Sequence, residues 1–176
     1  MQPAAAPESL PGFPLLEQTP IILEKILRTA THEELQWKPA PDRWSISEVL
    51  AHLSEVETVF RERAERMLKE DVPALSSYDQ KAADAAGAYS KGTAREHLKT
   101  FCHERDRTLS VLRYLPPESA SRAGQHSELG RITLDNLLGE WAWHDLGHIR
   151  QIAEVYRARA FYPHMGPFQR YYTPKP

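Results

Sequence analysis

The amino-acid sequence predicts an all-α fold, a four-helix bundle with a long crossover between the second and third helices. Prolines concentrate in the first 41 residues and at a few later sites, and they leave four proline-free windows, 21–38, 42–72, 74–115 and 118–162. A proline inside a helix removes a hydrogen bond and clashes with the preceding turn, so helices are expected within these windows. Apolar residues recur there at helical spacing, and no alternating strand pattern is present.

The first two helices are predicted from their start signals. Thr19 can cap a helix that has Pro20 at its first position, and the apolar residues that follow keep helical spacing. A loop with one short turn comes next. Ser45 and Glu48 form a capping box that opens the second helix, whose apolar stripe continues for about six turns.

A long connection is predicted over residues 71–92, which are small and polar and have one weak helical turn around residues 80–86. A crossover of this length allows neighbouring helices to run parallel. Thr93 and Glu96 form a second capping box that opens the third helix, and the pair of prolines at 116–117 ends it.

The last helix is predicted to begin after Thr133, which caps it, and to run to about residue 160. Residues 118–132 before it are expected to be a loop. The aromatic and proline-rich tail after it is expected to be an extended arm that packs on the bundle or on a partner subunit. The predicted organisation is a proline-rich leader over 1–18, the bundle over 19–160 and the arm over 161–176.

The composition excludes several classes of protein. The 22 Lys and Arg residues against 24 Asp and Glu residues give a net charge of −2, which argues against a nucleic-acid-binding face. A single cysteine, Cys102, excludes an internal disulfide and a multi-cysteine metal site. No apolar run is long enough to span a membrane, and the first residues lack the features of a signal peptide. We therefore expect a cytoplasmic protein without a membrane partner.

The fourth predicted helix carries His144 and His148, which are four residues apart and lie on one helical face. They share that face with apolar residues such as Trp141 and Ile152, so both imidazoles are predicted to point into the bundle. A buried polar group without a partner costs about 1–3 kcal/mol. Two arrangements satisfy the rings: independent hydrogen bonds within the core, or a shared divalent metal with acceptors behind the ligands.

His52 is the candidate for a third ligand. It lies in the second helix within LAHLSEVE, on the flank of the apolar stripe. There it is either a histidine at the boundary of the core or the residue that completes a three-histidine site with His144 and His148. The other five histidines lie in predicted loops, the tail or off-stripe positions and are set aside; they are His32, His97, His103, His126 and His164.

Arg105 is an outlier in the third helix because it lies close to the centre of an apolar stripe. It is predicted to form a buried ion pair, to extend its charge towards solvent, or to anchor a substrate carboxylate beside the metal. The candidate partners for the ion pair are Glu55, Glu57 and Glu140. Cys102, on the same helix, is either a small core residue or a nucleophile. Asp145 and Gln151 are candidates for orienting the imidazoles.

Two segments, WSISEVLAHLSEVE and TLDNLLGEWAWHDLGHIRQIAEV, carry a resemblance to a known family. Over about residues 20–160 the sequence resembles the DinB/YfiT-like superfamily, especially its DinB-type members. The resemblance implies a four-helix bundle that is often dimeric and that binds a divalent metal through three histidines. By this resemblance His52, His144 and His148 are the metal ligands. The leader and the tail lie outside it.

The expected chemistry follows from such a site. Three neutral imidazoles suit zinc or nickel, and three protein ligands leave a position for water or substrate. We expect a metal-dependent enzyme that activates a thiol or a water, either a thiol-dependent S-transferase or a hydrolase acting on a small molecule. The resemblance favours a low-molecular-weight thiol as cosubstrate and a homodimer. The alternatives are a non-catalytic metal-binding dimeric bundle that binds a small molecule or a protein, and a bundle whose histidines bind no metal.

Overall fold

The computed structural model of the chain describes residue 10 and residues 12–174 and has the predicted four long helices. The helices and strands are α1 (Phe13–Leu27), α2 (His32–Gln36), α3 (Ile46–Lys69), β1 (Ala74–Leu75), α4 (Gln80–Ala85), α5 (Ala94–Leu112), β2 (Ala123–His126), β3 (Gly130–Thr133) and α6 (Leu134–Ala160). The long helices α1, α3, α5 and α6 form the bundle. The prediction of an all-α, four-helix bundle is confirmed.

The long crossover gives the bundle its topology. Both α1 and α3 pack against α5 and α6. Ser54 near the start of α3 donates to the carbonyl of His97 near the start of α5, and Arg61 pairs with Glu104 further along both helices. The two helices therefore run parallel, which a short turn could not achieve, and residues 70–93 return the chain to the other end of the bundle.

The bundle interior consists of two apolar clusters with a polar layer between them. One cluster contains Leu16 of α1, Phe60 of α3 and Trp141 of α6, and the other contains Leu23 of α1 and Ile152 of α6. The polar layer lies at mid-height on all four helices. Its members are Thr19, His52, Glu57, Arg105, Asp145 and the two histidines of α6, His144 and His148.

The predicted capping boxes form as expected. The hydroxyl of Ser45 accepts from the backbone N–H of Glu48, and the carboxylate of Glu48 accepts from the backbone N–H of Ser45. Thr93 and Glu96 repeat this arrangement at the start of α5. Each box satisfies two N–H groups that have no partner within the helix, so these starts are fixed by local sequence.

The predicted start of the first helix is wrong. α1 begins at Phe13, so Pro20 lies inside the helix and Thr19 is buried instead of capping. A proline inside a helix has no N–H for the carbonyl four residues earlier, here that of Leu16. Arg105 on α5 supplies the missing donor, because its Nη1 lies 2.8 Å from the Leu16 oxygen. A tertiary contact thus makes this proline compatible with a continuous helix.

The segment predicted as a loop over residues 118–132 contains a β-hairpin. β2 pairs antiparallel with β3, and β1 from the crossover adds to β2 in parallel, giving a three-stranded sheet in the order β1–β2–β3. Strands this short give too few alternating positions for a pattern to be visible in the sequence. The sheet attaches the crossover to the segment that leads into α6.

The tail is not the fully extended arm that was predicted, although it does pack on the bundle. It forms two short 3-10 helices, Tyr162–His164 and Gly166–Tyr171, and the first of them packs on α6. Most of the predicted leader, residues 1–9 and 11, lies outside the described residues. In the part of the chain that the structure describes, no helix combines the length and apolar character needed to cross a membrane.

Candidate metal centre

Three histidines meet in the polar layer. His52 comes from α3, and His144 and His148 come from successive turns of α6. The Nε2 atoms of His52 and His144 are 3.1 Å apart, and those of His144 and His148 are 3.2 Å apart. One ring nitrogen from each residue lies within 4.8 Å of the others. The structure therefore brings together the three histidines that the sequence analysis selected.

The spacing of these nitrogens can be compared with that of a metal site. Bonds of about 2.0–2.1 Å at angles between 90° and tetrahedral place two ligand nitrogens about 2.9–3.4 Å apart. Both measured Nε2 separations fall in this interval. Among the described residues, no other group of three His, Cys, Asp or Glu side chains brings its ligand atoms together in this way.

The protonation state of the rings favours metal binding. Burial lowers the pKa of His52 to about 3, and repulsion from His148 and His144 acts in the same direction. Burial, with contributions from His148 and Arg105, also lowers the pKa of His144 to about 3. The pKa of His148 is lowered by burial as well, against an opposing hydrogen bond to Gln151. All three imidazoles are therefore neutral at pH 7, the form that binds metals.

The second nitrogens of two of the rings have protein partners. Nδ1 of His148 lies 2.9 Å from Oε1 of Gln151 and donates to it, so its Nε2 carries the lone pair. Nδ1 of His52 lies 3.3 Å from the hydroxyl of Tyr89. Gln151 thus contacts an imidazole as the sequence analysis suggested, whereas Asp145 does not and pairs with Arg105 instead.

Aromatic side chains enclose His52, which is only 1% exposed. The ring of Trp44, from the loop before α3, lies 5.1 Å from the imidazole between centroids, and the ring of Tyr89 lies 5.4 Å away. On the other side of the triad, Phe60 meets His144 edge to face at 5.6 Å. These contacts leave each imidazole little freedom to rotate, which keeps the nitrogens directed at one point.

Arg105 forms the buried ion pair that was one of its three predicted states. Its Nε and Nη2 donate to the carboxylate of Glu57, and Nη1 and Nη2 donate to that of Asp145. With the bond to the Leu16 carbonyl, all five N–H groups have acceptors. The side chain is 0% exposed, so the alternative of a substrate anchor does not fit this geometry.

The two carboxylates of this network are held by further donors. Trp141 Nε1 donates to Glu57 at 2.9 Å, and Thr19 Oγ1 donates to Asp145 at 2.7 Å. The favourable charges of Asp145 and Glu57 outweigh burial and raise the pKa of Arg105. Each long helix therefore contributes at least one residue to a single hydrogen-bonded network beside the histidines.

A cavity of about 500 Å³ opens next to His52 and His144. It lies between α3, α6, the crossover and the β2–β3 hairpin. The apolar part of its wall consists of Val56, Val59, Phe60, Leu129, Ile132 and Leu137. A second cavity, of about 480 Å³, is bordered by His144 and His148 and shares Glu140 and His144 with the first. The triad is therefore accessible to small molecules.

The sequence analysis missed several polar residues of the larger cavity. Arg63 lies eleven residues beyond His52 on α3, which corresponds to about 16 Å along the helix axis. Its Nη2 donates to the carbonyl of Ser76, and burial lowers its pKa. Among the described residues it has no carboxylate within ion-pair distance. Its only sequence signal was its position near the apolar stripe of α3.

His126, which the sequence analysis set aside, is buried in β2 and lines the same cavity. Its Nδ1 accepts from the backbone N–H groups of Glu128 and Leu129. The neutral ring therefore carries its proton on Nε2, for which no other described residue provides an acceptor. A histidine in a predicted loop gave no reason to expect this placement.

Cys102 lies away from the triad. Its thiol contacts Glu24 of α1 and lines a separate surface depression between α1 and α5. Burial, together with Glu24 and Asp106, raises its pKa to about 11. The thiol is therefore protonated at neutral pH, which argues against the nucleophile alternative.

Comparison with known proteins identifies the family. The model of the DinB superfamily matches residues 15–152. The chain belongs to the DinB superfamily. The matched segment contains the four long helices almost completely and all three histidines of the triad.

Two relatives support this assignment. The chain is 27% identical over 144 residues to "Putative metal-dependent hydrolase YfiT" of Bacillus subtilis (strain 168), with 81% of each protein covered. It is 26% identical over 141 residues to "Putative metal-dependent hydrolase OB0782" of Oceanobacillus iheyensis, covering 80% of this chain and 81% of the relative. Members of the superfamily with these names are thus similar to this chain over most of its length.

A solved structure shows the same fold. It is described as "YfiT from Bacillus subtilis is a probable metal-dependent hydrolase with an unusual four-helix bundle topology". The match has a TM-score of 0.76 and 25% sequence identity, and it covers 90% of this chain and 93% of that one.

Proposed function

We propose that the protein is a metal-dependent hydrolase in which His52, His144 and His148 bind one divalent transition metal. The observation that carries this proposal is the convergence of three neutral imidazole nitrogens beside a cavity of about 500 Å³. Nitrogen ligands without a cysteine favour zinc or nickel among the available ions. The names of the two relatives and of the solved structure support the hydrolase reading.

A divalent ion held by three imidazoles lowers the pKa of a water, or of a thiol, that occupies its open position. His52 and His144 border the larger cavity, so the substrate enters from the side of that cavity. The neutral rings do not have to release protons when the ion binds near pH 7.

Glu140 is the candidate for the general base. It lies one turn before His144 on α6 and lines the larger cavity, and among the described residues its carboxylate has no hydrogen-bond or ion-pair partner. A carboxylate in this position can accept a proton from a water or thiol at the triad. We propose that it does so during the reaction.

The cavity wall indicates the kind of substrate. Its apolar side accommodates an uncharged body, and the guanidinium of Arg63 and the Nε2–H of His126 can bind a polar end. The substrate we propose is therefore a small molecule with an apolar part and an acceptor-bearing end. A thiol cosubstrate would have to come from solution, because Cys102 lies elsewhere in the fold.

The test is an assay of the metal-loaded protein against ester and amide substrates, and against electrophiles with glutathione, bacillithiol or mycothiol. We expect hydrolysis that His148→Ala abolishes and that Glu140→Gln reduces by about 10²–10⁴-fold without loss of metal. Arg107→Ala, an exposed substitution on α5, is the matched control. Turnover that requires a thiol would show that the activated group is the thiol and not water. No turnover of any substrate by the loaded protein would favour the non-catalytic metal-binding alternative.

A further inference from the structure

A series of hydrogen bonds runs from His52 to a carboxylate on the same helix, α3, through two tyrosines of the crossover. Nδ1 of His52 lies 3.3 Å from the hydroxyl of Tyr89. That hydroxyl lies 2.6 Å from the hydroxyl of Tyr78, which is 2.7 Å from Oε2 of Glu55. The four groups form a series of three hydrogen bonds, and Glu55 also interacts with the hydroxyl of Tyr89.

The chemistry of the last member sets the direction of the whole series. A carboxylate only accepts hydrogen bonds, so Tyr78 donates its single hydroxyl proton to Glu55. Tyr78 can then only accept from Tyr89, which in turn can only accept from Nδ1 of His52. An ionised carboxylate three bonds away thus requires a proton on Nδ1 of His52.

We propose that Glu55, Tyr78 and Tyr89 are positioning residues that hold His52 as the Nδ1–H tautomer, with the lone pair of Nε2 directed at the metal position. This inference rests on the proposed function, because it concerns one of the proposed ligands. Tyr89 is 2% exposed and His52 is 1% exposed, so solvent has little access to replace a missing partner. The phenols keep their protons near neutral pH because the ordinary pKa of tyrosine is about 10.

The series also explains why the crossover folds over α3. Tyr78 and Tyr89 lie on either side of α4, in a segment that is otherwise small and polar. Trp44 supports the same segment, since its Nε1 donates to Asp84 at 3.2 Å. Ordering the crossover therefore assembles the hydrogen-bond series on the buried side of His52.

Two readouts test the proposal. The first is the tautomer of His52 in metal-free protein, read from the ¹⁵N chemical shifts of Nδ1 and Nε2. The second is zinc affinity, measured by competition with a chromophoric chelator. We expect Tyr89→Phe to shift His52 towards the Nε2–H form and to weaken zinc binding by about 10–100-fold, the usual effect of removing a partner of a ligand. Tyr114→Phe, at a phenol 86% exposed on the surface, is the control and should change neither readout.

Glu55→Lys tests the direction of the series. An ammonium only donates, so it would reverse all three bonds and place the proton on Nε2 of His52. We expect it to produce a larger Nε2–H population than Tyr89→Phe does. In a Tyr89→Phe background, where the hydroxyl that contacts His52 is absent, the same substitution should cause no further change in the tautomer. This comparison separates the series from a simple effect of charge.

The results that would overturn the inference are distinct from those that would overturn the proposed function. An unchanged His52 tautomer in folded Tyr89→Phe and Glu55→Lys proteins would exclude the positioning role. An equal response to Glu55→Lys with and without the hydroxyl of Tyr89 would also exclude it. Failure of the wild-type protein to bind zinc or nickel would instead contradict the metal site. The tautomer of His52 in metal-free protein would still test the hydrogen-bond series.

Discussion

At the residue scale, Pro20 and Arg105 form a complementary pair across the bundle. The proline leaves the carbonyl of Leu16 without its helical donor, and the guanidinium of Arg105 donates to that oxygen while it neutralises Glu57 and Asp145. Burying charges is costly, and the arrangement is favourable only because every donor of the guanidinium is used. The same network holds α3 and α6 at the height where the triad forms.

Arg105→Met should strongly destabilise the protein. The substitution leaves two buried carboxylates without a counter-charge, and we expect the free energy of unfolding in urea to fall by about 3–5 kcal/mol. Arg107→Met is the matched control, because Arg107 is on the same helix with its side chain 57% exposed and should lose less than about 1 kcal/mol. A loss as small in Arg105→Met as in the control would show that the network contributes little.

Cys102 should react slowly with alkylating reagents. With its pKa raised to about 11, mainly by burial, its thiolate fraction near neutral pH is on the order of 100-fold smaller than that of an ordinary thiol. The rate of alkylation of the folded protein by iodoacetamide, compared with glutathione, measures this. We expect the rate to keep rising with pH above 9.5, and a plateau below pH 9 would contradict the protonated state described here.

At the element scale, the small sheet connects the crossover to α6. β1 belongs to the crossover and pairs with β2, and the hairpin leads directly into the first turn of α6. Gly124 in β2 allows this packing: a Cβ there would lie 2.5 Å from Cδ1 of Leu75 and 3.3 Å from Cγ of Met67. A side chain at this position would push the crossover away from α3.

Gly124→Ala should therefore destabilise the protein, by about 1–3 kcal/mol, as expected when an extra methyl group enters a packed core. Gly139→Ala is the contrasting change, because Gly139 lies within α6 and has open space around the position of a Cβ. Alanine is the better helix former there, so we expect that change to stabilise by about 0.5–1 kcal/mol. Thermal unfolding of both variants measures the difference, and a stabilising Gly124→Ala would contradict the packing described here.

The elements that were predictable from sequence are those fixed by local signals. The capping boxes at Ser45 and Thr93 and the long apolar stripe of α3 locate the helices without reference to the rest of the fold. The start of α1 was misplaced because the donor that makes Pro20 acceptable comes from α5, far away in the chain. The hairpin was missed because its strands are stabilised by pairing with β1 and by contact with α3.

The candidate site, like the helices, was predictable only as far as local sequence signals reach. The spacing of His144 and His148 is a local property of one helix. The position of His52 beside the apolar stripe of α3 made it a candidate third ligand, and the resemblance then implied that role. The partners of these residues could not be predicted. Tyr89 and His126 reach the triad and the cavity through the crossover and the hairpin, whose positions depend on tertiary packing.

At the scale of the whole molecule, the surface has large apolar side chains that are not buried in the bundle. Trp143 on α6 is 77% exposed and Leu146, on the next turn, is 50% exposed. The aromatic tail, which follows α6 in the sequence, has further exposed rings. Trp143 and Leu146 are neighbours on the helix surface because they are three residues apart, and adjacent exposed apolar groups are typical of interfaces. The homodimer expected from the family resemblance remains a prediction.

We predict that the protein has the mass of a dimer in light scattering after size-exclusion chromatography, and that Trp143→Glu makes it monomeric. A charge buried in an apolar interface loses hydration without a partner, which favours dissociation. Tyr114→Glu, at an equally exposed ring on another part of the surface, should leave the mass unchanged. A monomeric wild-type protein would contradict the prediction.

The central claim is that one metal ion is shared by His52, His144 and His148, and its most direct test is the metal content of the purified protein. After loading with zinc or nickel and removal of unbound ion, we expect about one equivalent per chain for the wild-type protein and for His164→Ala, an exposed tail variant. His52→Ala, His144→Ala and His148→Ala should each lose most of it while remaining folded. Metal content that is unchanged in these three variants, or absent from the wild-type protein, would contradict the account.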